Sequence, residues 1–314
     1  LAVSLRRFNN VCSDLPSSMK AAQLRSLLEG DRPFLVPGVF DALSANIAES
    51  AGFDAVYLGG NNAGASTGAT EPIITMTEMA DRSREILHNV EVPLVVDGGA
   101  GFGDAPHTYR TVDEFAKTGI AGVHIEDQVY PKPIHYHAHK HAIVDTDEMV
   151  RKVKAAAKAR DVGDSDIVLM ARTDAARGNL REEGQTIEDA VERINAYADA
   201  GAEVGMIAPQ TVEEVEYAAA HTEIPVSFAV VEFESASMEL TVEDIADIGY
   251  SMIFYPLSAM LVTTRALDHL YGSIADSRET TLDAEESREL LERVDELIDL
   301  PALYEIESGG EQLH

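Results

Sequence analysis

Eight short apolar segments, separated by helical patterns, are the feature of this 314-residue chain that most constrains its fold. Each segment is a nearly continuous apolar run, typical of parallel strands that are buried on both faces. The predicted strands cover residues 34–40, 55–60, 93–99, 122–127, 166–173, 203–209, 225–232 and 250–256. Eight strands that are each followed by a helix predict a (β/α)₈ barrel, a fold that usually spans about 250 residues. A doubly wound open α/β sheet is the alternative.

The predicted barrel domain covers residues 19–275, and the segments on either side have different patterns. Residues 1–18 show neither a periodic pattern nor the apolar stretch of a signal peptide, so we expect a flexible extension. Residues 276–314 contain an amphipathic helical pattern at 283–298 that a barrel does not need. We expect this C-terminal helical extension to pack on a neighbouring subunit of a homo-oligomer.

The net charge of −31 bears on the partners and the compartment of the protein. Acidic residues are spread along the chain, and such a surface repels nucleic acid and anionic membranes. No apolar run approaches the roughly 18 residues of a membrane span. Because an evenly acidic, lysine-poor surface supports solubility in salt, we expect a cytoplasmic protein from a halophilic source. The single cysteine, Cys12, excludes an intrachain disulfide.

Polar residues stand at the carboxyl ends of several predicted strands, where (β/α)₈ barrels hold their active sites. These residues are Gly59, Gly60, Asn61, Asp97, Glu126, Asp127, Arg172, Asp174 and Glu232. Carboxylates suit a hard cation such as Mg²⁺, and an arginine suits a substrate carboxylate. Backbone amides at a glycine turn suit a developing oxyanion. The set therefore predicts an anionic carbonyl or enolate substrate held on a metal.

Each of these residues also has a structural interpretation. Asp97 could form a buried turn, and Glu126 or Asp127 could cap the following segment. Arg172 could serve only to pair with Asp174, and Glu232 could be a charge at the rim of the barrel. The sequence alone leaves these alternatives open.

Four motifs, in this order along the chain, resemble the isocitrate lyase/phosphoenolpyruvate mutase superfamily: "YLGG", "VDGGAGFGD", "GVHIEDQVYPK" and "VLMARTDA". The resemblance covers about residues 30–275 and is stronger to short members such as 2-methylisocitrate and dimethylmalate lyases. It implies a (β/α)₈ barrel whose extra C-terminal helix is exchanged between subunits, in tetramers built as dimers of dimers. It also implies Mg²⁺, with Mn²⁺ as an alternative, holding a 2-oxo acid or its enolate.

The resemblance further implies a role for individual residues. Asp97 would be the direct metal ligand and Glu126 a ligand through water, with Glu71 at a further acidic position of the metal site. Arg172 would bind a substrate carboxylate, and both Glu126 and Arg172 are expected to be catalytic. The residues implied to surround the substrate are Tyr57, Gly59, Gly60, Asn61, Arg172 and Glu232. The glycine amides would contact the enolate oxygen.

The chain departs from the family pattern at two places. Where family lyases have a second Asp two residues after the metal ligand, this chain has Gly99. The cysteine that serves family lyases as acid and base is missing from the loop after strand 4, which here reads "KPIHYH" at 132–137. We predict that His135, Tyr136 or His137 handles the proton instead.

The same loop continues as an alternating histidine tract that ends at His141. Taken alone, such a tract is typical of transition-metal binding. A solvated loop is a further alternative. Its place after strand 4 favours a catalytic or substrate-binding role.

The leading functional hypothesis is a Mg²⁺-dependent carbon–carbon lyase acting on a small hydroxy di- or tricarboxylate of the 2-methylisocitrate, isocitrate or dimethylmalate type. This oxo-acid lyase would release a 2-oxo acid and a carboxylate through a metal-held enolate. The second hypothesis is decarboxylation or hydrolysis of oxaloacetate, or phosphonopyruvate-type chemistry, on the same site. The third is a non-catalytic relative that binds 2-oxo acids.

Overall fold

The eight predicted strands form one parallel sheet that curls into a nearly closed barrel. A computed structural model describes residues 17–134, 142–177, 185–235 and 238–308. The strands are β1 Phe34–Pro37, β2 Val56–Leu58, β3 Leu94–Asp97, β4 Gly122–Glu126, β5 Val168–Thr173, β6 Val204–Ile207, β7 Val226–Ala229 and β8 Met252–Tyr255. Their order in the sheet is β1-β8-β7-β6-β5-β4-β3-β2. The barrel prediction is confirmed, and the doubly wound alternative is wrong.

The seam of the barrel lies between β1 and β2, where the described residues make one parallel bridge, Gly38 to Tyr57. The amide of Val39 donates to the Tyr57 carbonyl at 2.8 Å. Nearby, the Asn62 side chain donates to the carbonyl of Pro256 at 2.8 Å. A Cβ atom on Gly38 would lie 2.3 Å from that same carbonyl oxygen, so the seam requires glycine.

Helices follow the strands as predicted, and several begin at a capping side chain. The helices are α1 Ser17–Leu28, α2 Ala42–Ser50, α3 Gly60–Ser66, α4 Met76–Leu87, α5 Ala105–Ala116, α6 Thr146–Val162, α7 Ile187–Asp199, α8 Val212–His221, α9 Glu232–Ser235, α10 Val242–Ile248, α11 Ser258–Ser277, α12 Ala284–Leu297 and α13 Leu300–Glu307, with a 3₁₀ turn at Glu71–Ile73. Asp41, Thr75 and Thr186 form capping boxes at α2, α4 and α7. Each box satisfies backbone N–H groups that the first turn leaves without partners.

Two apolar layers stabilise the barrel. Side chains between sheet and helices, such as Leu58, Val96 and Phe115, form one layer. Side chains inside the barrel, such as Val95 and Met170, form the other. Because successive strand residues point to opposite faces, residues two positions after an interior side chain also point inward. This alternation places Asp97, the last residue of β3, and Arg172, one residue before the end of β5, inside the barrel mouth.

The chain divides into two compact units, whose described residues are 17–260 and 261–308. The first contains the whole sheet. The second contains most of α11 together with α12 and α13, so the predicted C-terminal extension is helical. Leu297 and Ala302 are buried in it, whereas Leu291 and Val294 are exposed. Among the helices that the structure describes, none is long and apolar enough to cross a membrane.

Candidate active site

The structure brings Asp97, Glu126 and Arg172 together at the carboxyl ends of β3, β4 and β5. Glu126 and Arg172 are register partners in adjacent strands. Their side chains approach to 3.4 Å, from Nη1 of the arginine to Oε2 of the glutamate. Both carboxylates are buried, and the arginine is mostly so. The strand ends therefore form one charged cluster, as the sequence predicts.

Asp97 is fixed by two backbone amides. Its Oδ2 accepts from the Gly60 amide at 3.0 Å, and its Oδ1 accepts from the Gly99 amide at 2.7 Å. Burial favours protonation, but His124, Lys132 and Arg172 outweigh it and hold the pKa of Asp97 below its ordinary value. The carboxylate is therefore ionised at neutral pH. The sequence predicts that the Gly59 and Gly60 amides contact an enolate oxygen. The Gly60 amide instead donates to Asp97.

A tyrosine and a histidine lie beneath Asp97 inside the barrel. Tyr57 Oη and His124 Nε2 are 2.8 Å apart, and His124 Nε2 lies 3.6 Å from Asp97 Oδ1. Burial raises the pKa of Tyr57, and it lowers that of His124 while the charge of Asp97 opposes the shift. The Tyr57–His124 pair therefore occupies the interior of the barrel directly beneath Asp97.

Lys132 is a site residue that the residue-by-residue prediction missed. Its buried ammonium donates to the Glu71 carboxylate and lies 2.5 Å from Glu126 Oε1. Burial raises the pKa of Glu71, and the nearby ammonium opposes that shift. The sequence signal for Lys132 is its position, six residues after Glu126 at the end of β4, in a chain with few lysines. Its partner Glu71 is 61 residues away, so the sequence could not show the pairing.

Arg172 is oriented by Asp174. The guanidinium donates from Nε to Oδ1 at 2.9 Å and from Nη2 to Oδ2 at 3.2 Å. Asp174 also accepts from the Gln128 amide and lies 3.7 Å from Arg177. Burial alone would raise the pKa of Asp174, but the two arginines hold it well below its usual range. The arginine thus pairs with Asp174, as its structural interpretation states, while it also lines the cavity described below.

Behind this pair, Asp127 joins β4 to β5 and to α7. Its carboxylate accepts from the Thr173 hydroxyl at 2.6 Å and from the Asp174 amide at 3.1 Å. Tyr197 and Arg193 donate to it from α7 at 3.0 and 3.3 Å. Burial raises the pKa of Asp127 to about 6. Asp127 therefore holds the ends of the two strands in place and does not face the cavity.

The acidic cluster suits a cation that keeps most of its water. Both carboxylate oxygens of Glu126 are buried, and their partners in the described structure are the ion-pair contacts with Lys132 and Arg172. Asp97 retains a lone pair on each oxygen. Mg²⁺ commonly takes one or two protein carboxylates and several waters. No group of three or more His, Cys, Asp or Glu among the described residues is arranged to hold a metal. The donor set fits Mg²⁺ on Asp97 and Glu126, while Glu71 binds Lys132 and its role as a ligand stays a prediction.

A cavity of about 230 Å³ opens beside this cluster. Asp97, Glu71 and Arg172 line it, and so do four residues expected around the substrate: Tyr57, Gly59, Gly60 and Asn61.

Glu232, which the sequence predicts near the substrate, does not line the described cavity. Glu232 is exposed at the start of α9, where its carboxylate accepts a hydrogen bond from the Ser258 hydroxyl. It lies there because β7 ends at Ala229 and not at residue 232 as predicted. Its role in substrate binding stays a prediction. His135, Tyr136 and His137 lie outside the described residues.

Comparison with known proteins gives a consistent result. The family model described as phosphoenolpyruvate phosphomutase matches residues 24–275. A 2,3-dimethylmalate lyase of Eubacterium barkeri is 33% identical over 291 residues, which are 91% of this chain and 96% of the relative. A 2-methylisocitrate lyase of Escherichia coli strain K12 is 35% identical over 280 residues, 86% of this chain and 90% of the relative.

Among solved structures, oxaloacetate acetylhydrolase in complex with 3,3-difluorooxalacetate matches with a TM-score of 0.84 and 28% identity. The match covers 96% of this chain and 100% of that one. With a family model matched over most of its length, and relatives above 30% identity, the chain belongs to the phosphoenolpyruvate mutase/isocitrate lyase family.

Proposed function

We propose that the protein is a Mg²⁺-dependent carbon–carbon lyase that cleaves a small hydroxy di- or tricarboxylate to a 2-oxo acid and a carboxylate. The observation that carries the proposal is the convergence of Asp97, Glu126, Arg172 and Lys132 in one charged cluster, of which Asp97 and Arg172 line the cavity. Relatives named 2-methylisocitrate lyase and 2,3-dimethylmalate lyase, alike over most of the chain, support it.

In this proposal each group has one task. Arg172, held by Asp174, binds a substrate carboxylate through its guanidinium. Asp97 and Glu126 hold the cation, and Mn²⁺ is the alternative to Mg²⁺. The cation supplies Lewis acidity toward the substrate oxygen. The buried Lys132 ammonium neutralises Glu71 and Glu126, whose carboxylates can accept the proton that the substrate hydroxyl loses.

The cleavage itself needs two proton transfers. The hydroxyl loses its proton, the bond to the neighbouring carbon breaks, and the electron pair stays on that carbon beside its carboxylate. That carbon must then be protonated by a general acid. We assign this second proton to His135, Tyr136 or His137, which follow the position of the cysteine in family lyases.

A substrate panel tests the proposal. The protein is incubated in high salt with Mg²⁺ and separately with 2-methylisocitrate, isocitrate, 2,3-dimethylmalate, oxaloacetate and phosphonopyruvate, and formation of 2-oxo acid is followed. Cleavage of at least one of the three hydroxy acids is expected, and it should stop when EDTA is added. Turnover of oxaloacetate or phosphonopyruvate alone would overturn the lyase assignment.

One observation favours a second candidate, hydrolysis or decarboxylation of oxaloacetate or phosphonopyruvate-type chemistry. The loop position of the family cysteine holds Ile134, which is 54% exposed and has no proton to give. Oxaloacetate acetylhydrolase is also among the matched structures. If none of the five compounds is turned over, the result would instead favour a relative that binds 2-oxo acids without turnover.

We also propose a cytoplasmic, salt-adapted homo-oligomer, with a tetramer as the expected form. Apolar side chains exposed in the second unit support association: Leu261, Val262, Leu267, Tyr271, Leu290, Leu291, Val294, Ile298 and Ile306. Sedimentation at several salt concentrations measures the mass in solution. A monomer at every concentration would contradict the assignment.

A further inference from the structure

The cavity has a charged side and an apolar side. The ends of β3, β4 and β5 supply the charged cluster, whereas the ends of β6, β7 and β8 supply Met206, Phe228, Ala229 and Phe254. The boundary is sharp, because Arg172 on β5 and Met206 on β6 are register partners. A bound substrate therefore meets charged groups at one end and hydrocarbon at the other.

The apolar side offers little to a charged group. Met206, Phe228 and Phe254 are almost completely buried, and Val231 and Leu257 extend this wall at the cavity mouth. Gln210, the side-chain amide among the described residues of this side, donates hydrogen bonds from Nε2 to the carbonyls of Ala208 and Pro209. Among the described residues that line this side, none is a lysine, arginine or histidine.

Among the described residues, two cationic side chains line the cavity, Arg172 and Arg177. Both lie on the charged side, within 3.7 Å of Asp174. Two guanidinium groups suit two carboxylates. A third carboxylate placed against the wall of Met206, Phe228 and Phe254 loses its hydration without gaining a cationic partner among the described residues that line this side.

We propose that the substrate is a malate-type diacid that carries an alkyl group, and that this apolar wall selects the alkyl group against a third carboxylate. The inference rests on the proposed lyase function and narrows its substrate class. In the reaction the C2 hydroxyl loses its proton and C2 becomes the carbonyl carbon of a 2-oxo acid. The C2–C3 electron pair goes to C3, which takes a proton and leaves as an alkyl carboxylic acid.

Kinetics on the Mg²⁺-loaded protein test the selection. The ratio of kcat/KM for 2,3-dimethylmalate over 2-methylisocitrate is expected to exceed about tenfold, a value within the range that one misplaced group can produce in a pocket. Val231→Arg places a cation on the half-buried part of the wall and should lower that ratio at least about tenfold. Val231→Leu, the matched control, should keep it above one. A wild-type ratio below one overturns the inference.

Binding of non-cleavable acids separates this inference from the lyase assignment. By calorimetry with Mg²⁺ present, 2-methylsuccinate should bind more tightly than propane-1,2,3-tricarboxylate. If it does while no hydroxy acid is cleaved, the lyase function fails and the selectivity stands. If 2-methylisocitrate is the better substrate, the lyase function stands and the selectivity fails. Equal binding of the two acids, or binding of neither, also overturns the selectivity.

Discussion

Arg172 and Asp174, two residues apart at the end of β5, form a two-point ion pair with Nε to Oδ1 at 2.9 Å and Nη2 to Oδ2 at 3.2 Å. Both groups are largely removed from water, with Asp174 fully buried. The pair fixes the plane of the guanidinium, and this plane decides how a substrate carboxylate can dock.

Asp174→Asn should therefore cost both stability and activity. Removing one partner of a buried pair typically costs roughly 3–5 kcal/mol in the free energy of unfolding. Because Arg172 and Arg177 hold the folded-state pKa of Asp174 below its unfolded value, this contribution is complete above about pH 4. It declines as the pH falls below that value. Urea unfolding of wild type and variant at pH 7, 5, 4 and 3 should show the difference shrinking only below pH 4.

Asp81→Asn is the matched control for that experiment, because Asp81 pairs with Arg84 at 2.6 Å on an exposed helix face. Exposed pairs contribute roughly 0–1 kcal/mol, so this variant should stay close to wild type. Equal effects of the two substitutions would show that Asp174 has no special role.

Lys132→Met should leave Glu71 and Glu126 as buried carboxylates without their shared cation. We expect a loss of roughly 3–5 kcal/mol in unfolding free energy and no measurable turnover. The double variant Lys132→Met with Glu71→Gln removes one of the two buried, unpaired carboxylate charges. It should therefore recover part of the unfolding free energy but none of the activity. If the double variant is no more stable than the single one, the Lys132–Glu71 contact is not energetically important.

Asp97→Ala should abolish both turnover and stabilisation by Mg²⁺. A bound cation raises the free energy of unfolding in proportion to the logarithm of its concentration, so thermal unfolding in a Mg²⁺ titration measures the site directly. The wild-type melting temperature should rise with Mg²⁺, and that of the variant should not respond beyond the effect of ionic strength. The control Asp54→Ala changes an exposed carboxylate and should keep the wild-type response. A variant that still responds would show that Asp97 is not a ligand.

The barrel and its charged cluster could be predicted because both depend on local patterns. Apolar runs marked the strands, and the alternation of strand faces sends Asp97 and Arg172 into the barrel mouth together. The pairing of Lys132 with Glu71 could not be predicted, because it depends on how two loops meet. Glu232 was misplaced because the apolar run "VSFAVV" continues two residues past Ala229, where β7 stops, up to the start of α9. The use of the Gly60 amide by Asp97 likewise depends on three-dimensional geometry.

Gly60→Ala tests how tightly the site is packed around that amide. A Cβ atom at Gly60 would lie 2.6 Å from Glu71 Cγ and 3.2 Å from Asp97 Oδ2. Both neighbours are buried and hydrogen-bonded, so they cannot move without disturbing Lys132 or the Asp97 carboxylate. We expect a loss of roughly 1–3 kcal/mol in unfolding free energy, as for overpacking of a core. Turnover should fall by more than the loss of folded protein can account for.

Gly272→Ala, the same substitution in α11, meets no atom within 4 Å. It should stabilise the protein by roughly 0.5–1 kcal/mol, because alanine favours a helix interior more than glycine does. Activity and unfolding are measured for both variants under the same conditions. If Gly60→Ala also keeps wild-type turnover and stability, then Glu71 and Asp97 have room to adjust.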